Sequence, residues 1–209
     1  MVSDTAKGAS GFAMSKMHSP LDPTAFAEAL TALRFENEKR LREQFNRSLP
    51  FADGAFDRWE RARRLGFGER TSIYDSAIVY GDVSVGADSW IGPSAILDGS
   101  GGPLRIGSFC SISAGVHVYT HDTALWALSG GKLPYKKSAV TIGDNVYIGG
   151  QCLVVAGVTI NSCCVVAAHS LVTKDVPSGA IAGGVPAKPI GRVEGKGKDI
   201  KLVFLTQRT

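Results

Sequence analysis

His121 is the residue best suited to chemistry in this 209-residue sequence. It stands in the run VYTHD (118–122), at the start of a stretch from Tyr119 to Ala139 that also carries Asp122, Trp126 and Tyr135. Imidazole exchanges protons near neutral pH, which is what a general base must do. The stretch is long for a connection inside a compact domain and rich in aromatic and polar groups, so it reads as a lining or a lid. Taken alone, His121 reads first as an exposed loop histidine and only second as a base. The four cysteines, Cys110, Cys152, Cys163 and Cys164, show no C-x-x-C spacing, and two are adjacent, which argues against a metal site or a disulfide framework.

What positions His121 is a repeat. From Ile73 the sequence divides into sixes: IYDSAI, VYGDVS, VGADSW, IGPSAI, then the break LDGSGGP, then IGSFCS and ISAGVH. After the His121 stretch it resumes with IGDNVY, IGGQCL, VVAGVT, INSCCV, VAAHSL and VTKDVP. The first residue of each block is Ile, Val or Leu, and the fifth is small or β-branched. A helix cannot satisfy period six, and a hairpin array would show period two. The pattern predicts short parallel strands stacked as coils, three blocks to a turn, with positions one and five inward and Gly, Asp or Asn near position two turning the corner. Cys110, Cys152 and Cys164 fall at position five and read as small core residues, while Cys163 points out, a weak catalytic signal without a paired base. The two breaks, at Asp98–Pro103 and Tyr119–Ala139, are where function would be inserted.

Composition narrows the class. With 44% apolar and 20% charged residues the chain folds, and 25 glycines in 209 residues, without a collagen period, fit the repeat. A net charge of +4 is too small and scattered for dedicated nucleic-acid binding. No run is apolar enough to span a membrane, and the first twenty residues lack a signal-peptide core, so a cytoplasmic protein without membrane insertion is expected. Residues 1–20, which include His18, read as a disordered leader. Residues 21–68 read as a helical segment: Asp22-Pro23 starts a helix running to about residue 47, and a second is expected from about Ala55 to Leu65, stopped by Gly66. Both are expected to pack on the repeat. The repeat domain spans 69–192, with its loop at 119–139, and residues 193–209 form an extension whose LVFL run suggests a docking strand or helix.

The repeat, the tail VTKDVPSGAIAGGVPAKPIG (172–191) and the VYTHD loop together resemble the hexapeptide-repeat acyltransferases, nearest to their galactoside and maltose O-acetyltransferase branch, over roughly 73–192. The resemblance implies a mainly β fold, a left-handed parallel β-helix. It implies acetyl-coenzyme A as co-substrate, no metal, and an O-acetyltransferase acting on a sugar hydroxyl by direct transfer within a homotrimer.

It also makes His121 the general base that takes the proton of the attacking alcohol, and the Gly150 amide the donor to the thioester oxyanion. Gly150, Ala168, Thr173 and Lys174 would line the coenzyme A groove. Lys188 and Arg192 would meet its phosphates, as point charge and fork respectively. His169 stands where the family usually has Gly or Asn. Asp98 would hydrogen-bond a sugar hydroxyl, and Trp90 would offer a sugar an apolar face. Alternatives are an N-acetyltransferase of an amino sugar or amino acid, or a non-catalytic trimeric scaffold. Zinc-binding relatives of this fold use three histidines, for which His117, His121 and His169 are the candidates, but their placement does not fit.

Overall fold

A computed structural model describes residues 22–205; the expected leader, 1–20, lies outside the described residues. The chain separates into two units between Arg47 and Ser48. The first is helix α1 (Pro23–Phe45), which begins where the Asp22 side chain accepts from Thr24 N at 3.1 Å and Ala25 N at 3.4 Å. Pro23 sits at the first turn, where a missing N–H costs nothing. The helix ends on Asn46 in the left-handed conformation.

The second unit opens with α2 (Phe51–Ala55) and α3 (Arg58–Arg64), where the sequence suggests one helix from Ala55. The division falls at Asp57, whose carboxylate accepts from Trp59 N and Glu60 N at 2.8 Å and so starts a new helix after an extended Phe56. Gly66, at φ 73°, stops α3 as its position in the sequence suggests.

Beyond Phe67 the chain winds into stacked coils of parallel strands. One column of paired residues runs Ile73, Ile91, Ile112, Ile148, Val166, Ala182. A second runs Val79, Leu97, Val118, Val154, Val172, and a third Val85, Ile106, Ile142, Ile160, Val176. Nearly all are position-one residues of the repeat, and the three columns are almost fully buried. Burying each such side chain contributes about 1.5–3 kcal/mol. Position five also faces inward, with Ala77, Ala95, Cys110, Val116, Cys152 and Cys164 each at most 2% exposed. Burial pushes the thiols of Cys110, Cys152 and Cys164 above the usual cysteine range.

The corners differ from expectation. Left-handed backbone falls at position four, not two: Asp88, Asn145 and His169 all have φ 57°. Glycine at position two answers another demand, because a Cβ on Gly149 would stand 2.5 Å from Ala168 N of the next coil. The coils stack too closely there for a side chain.

Both breaks lie inside this stack. The first is no gap but the middle of one strand, Ile96–Ile106, which bends from the second face of the coil to the third. The second leaves the second face after the strand His117–Tyr119 and returns at Val140–Ile142. At the far end the strands Ala180–Gly183, Lys188–Glu194 and Lys201–Phe204 pair antiparallel, so the extension docks as a strand. Among the described residues no helix is long and apolar enough to cross a membrane.

Candidate active site

The second break closes at its base. His121 pairs with Lys137 and Asp122 with Lys136 in a two-residue antiparallel ladder, and Ser138 N donates to Thr120 O at 2.9 Å. Between these lies α4 (Ala124–Leu128), with Asp122 Oδ1 accepting from Ala124 N at 2.7 Å. Trp126 meets Tyr135 edge-on at 5.5 Å between ring centroids, and Tyr135 stacks on His121 at 6.4 Å and 29° between planes.

Under His121 lies the first break. Asp98 pairs with Tyr119 in register, which brings Ser100 and Gly101 beside Thr120 and His121. The Asp98 carboxylate is 6% exposed; its Oδ1 accepts from Ser100 N at 2.8 Å and Ser100 Oγ at 2.5 Å, and its Oδ2 lies 3.3 Å from His121 Nδ1. Thr120 Oγ1 fixes the seam, donating to Asp98 O at 2.8 Å and accepting from Gly101 N at 2.9 Å. Beside His121 opens a pocket of about 430 Å³, lined by Tyr119, Asp122, Thr123, Lys136, Val155 and Ala156 as well. Burial, and next the Asp98 charge, push the Tyr119 phenol up, so it stays protonated beside the pocket.

A second groove, of about 280 Å³, brings Thr173, Lys174 and Lys188 together with Ala180, Ala182 and Pro186. Gly150 and Ala168 stand elsewhere, at the corner between the first and second faces, where His169 N donates to Gly150 O at 2.9 Å. Among the described residues the Gly150 N–H meets no protein acceptor. The pocket beside His121, by contrast, lies at the corner between the second and third faces, where Val155 and Ala156 follow the strand Leu153–Val154.

No family model matches the chain. Protein CapG of Staphylococcus aureus is 42% identical over 93 residues, 44% of this chain and 54% of CapG. The chain spans about half the length of the curated relatives it matches. The structure of a hexapeptide-repeat containing acetyltransferase from Vibrio cholerae superposes with a TM-score of 0.59 at 28% identity, over 78% of this chain and 92% of that one. Over its coils the chain is similar to hexapeptide-repeat acetyltransferases. Another solved structure, a galactoside acetyltransferase in complex with coenzyme A, superposes with a TM-score of 0.53 at 25% identity, over 79% of this chain and 82% of that one.

Within this hexapeptide-repeat chain the expected site residues do not all converge. Arg192 lies on the strand Lys188–Glu194, its Nε 2.5 Å from Glu194 Oε1, and is not in the groove wall with Lys188. Trp90 sits on the first face, edge-on to Tyr74 at 6.1 Å, away from the pocket beside His121. Asp98 spends its carboxylate on Ser100 and His121 instead of opening it to the pocket. Among the described residues no three His, Cys, Asp or Glu side chains gather as a metal site; His169 lies at the corner of Gly150 and Ala168, not at that of the pocket beside His121. Ser100, Gly101, Thr120 and Tyr119 carry the site and were not singled out in the sequence.

Proposed function

We propose that this chain transfers the acetyl group of acetyl-coenzyme A to a hydroxyl of a saccharide, glycan or polysaccharide precursor, on a left-handed parallel β-helix assembled as a homotrimer. The observation that carries the reading is His121, fixed on one side by Asp98, Ser100 and Tyr135 and bordering an open pocket on the other. His121 takes the proton of the acceptor hydroxyl as its oxygen attacks the thioester carbonyl carbon. The Gly150 N–H, which has no protein acceptor, receives the resulting oxyanion. When the C–S bond breaks, the thiolate of coenzyme A recovers the proton from the imidazolium.

His121 and Gly150 stand at different corners of one coil stack. One chain therefore supplies the base and its neighbour the oxyanion donor, which a cyclic trimer allows at three equivalent interfaces. Thr173, Lys174 and Lys188 line the groove for coenzyme A, with Lys188 at the phosphates and Ala168 beside the arm. The salt bridge of Arg192 to Glu194 leaves Arg192 out of this set. The experiment is thiol release from acetyl-coenzyme A across a panel of sugars, amino sugars and serine. Release with hydroxyl sugars supports the reading. Release with amines alone, or with none of the panel, overturns it.

A further inference from the structure

We propose that the acceptor is an anionic saccharide, its carboxylate or phosphate held by Lys136 in the wall of the pocket beside His121. The proposal rests on His121 as the base of the proposed reaction and narrows the acceptor from any sugar hydroxyl to one on a negatively charged sugar.

The charged side chains of this pocket of about 430 Å³ are unequally committed. Two residues of its wall carry a fixed charge, Asp122 and Lys136, and they stand directly opposite each other in the ladder at the base of the loop. Residues so placed have Cβ atoms about 5 Å apart, near enough for an ion pair. None forms. Asp122 Oδ1 turns back to accept from Ala124 N at 2.7 Å, and among the described residues the Lys136 ammonium enters no ion pair or hydrogen bond. A nearby donor is uncommitted too, since the Thr123 hydroxyl caps no backbone N–H of α4. Val155 and Ala156 complete the wall without adding charge.

The surroundings reinforce this bias. The stretch from Tyr119 to Ala139 holds three lysines, Lys132, Lys136 and Lys137, against the one carboxylate of Asp122. That surplus of two positive charges is half of the +4 carried by the whole chain. Charge of one sign gathered beside a cleft raises the local concentration of ligands of the other sign. A neutral sugar gains an ordinary hydrogen bond from an ammonium, whereas a carboxylate or phosphate gains a charge-assisted one about twice as strong. Lys136 also stands close to the base, because it faces Asp122, the residue after His121. One sugar unit can therefore present its hydroxyl to His121 and its anion to Lys136, whose flexible stem follows the anion.

The test uses the full chain and acceptors that differ in charge. Glucuronate, galacturonate and N-acetylneuraminate are each compared with the neutral methyl ester, and glucose 1-phosphate and galactose 1-phosphate with the parent sugars. The charged member of at least one pair is expected to have a kcat/KM at least about tenfold higher, mostly through KM, and the pair that shows it tells carboxylate from phosphate. Lys136→Ala should cut that ratio about tenfold, and Lys136→Arg should keep it. Equal rates within every pair overturn the proposal without any variant having to fold, and so does a ratio that survives Lys136→Ala. If no member of any pair is acetylated, the proposed reaction falls, and calorimetric binding of the same compounds to the chain with coenzyme A decides the site separately. Tighter binding of the charged members, lost in Lys136→Ala, upholds Lys136; equal binding overturns it.

Discussion

Gly101 and His121 approach so closely that a Cβ on Gly101 would stand 2.5 Å from His121 Cβ and also meet Thr120 O. No side chain fits there without pushing the histidine. Gly101→Ala is therefore expected to displace His121 from Asp98 and cut turnover by about a hundredfold, since a shift of about 1 Å at a catalytic group costs that much. Turnover and thermal unfolding measured together check it; wild-type turnover in a folded variant would show that the histidine is not held at this seam.

His121→Ala should lower kcat by about two to four powers of ten, the usual share of a general base, with acetyl-coenzyme A affinity little changed. Steady-state rates and a cofactor titration separate the two effects.

Lys188→Ala is expected to weaken cofactor binding about tenfold while Arg192→Ala leaves it within about twofold, because only Lys188 lines the groove and Arg192 is taken by Glu194. Calorimetric titration of both variants decides it. An equal loss in the two would place Arg192 at the phosphates after all.

Chains carrying His121→Ala, mixed with chains carrying a bulky residue at Gly150 and allowed to exchange subunits, should regain activity, because some interfaces then pair an intact base with an intact oxyanion donor. Light scattering checks the trimer. Verified mixed trimers that stay inactive would place both groups in one chain's site.

Cys163, exposed at a left-handed corner, should react with a thiol reagent in the folded protein while Cys110, Cys152 and Cys164 do not. Burial raises the folded-state pKa of those three. Their neutral form is the one the fold accepts, so stability is unaffected below the ordinary thiol range and falls as pH rises through and beyond it. Chemical denaturation between neutral pH and about pH 10 should show the loss.

The coil was legible in the sequence because a column of branched residues every six positions has one packing solution, and residues such as Ile91, Ile112 and Ile148 met in register as counted. The site was less legible for a specific reason. The period of six runs on from Ile112 to Val118 at the edge of the long loop, where the block it opens is cut short, and Val118 pairs with Leu97. That pairing sets Asp98 opposite Tyr119 and makes the glycine-rich break the bed of His121. The placement of Trp90 and Arg192 depended on which face each strand occupies and on a local ion pair with Glu194, and the period fixes neither. Glycine at position two answers spacing and not backbone conformation: its φ is ordinary, and it is the distance to the next coil that excludes a Cβ.

The two ends of the coil stack are finished differently from its middle, and this bears on solubility. At one end Arg61 of α3 donates to the carbonyls of Tyr74 and Ala77, covering backbone that another coil could otherwise use. At the other the direction reverses, and Ala180–Gly183 is paired on its outer side by an antiparallel strand instead of a parallel one. A stack of identical turns left open at both ends would offer each copy a template for the next, as any unpaired strand row does. Here part of each end is already taken by the chain's own groups, which leaves fewer backbone groups to template a further turn.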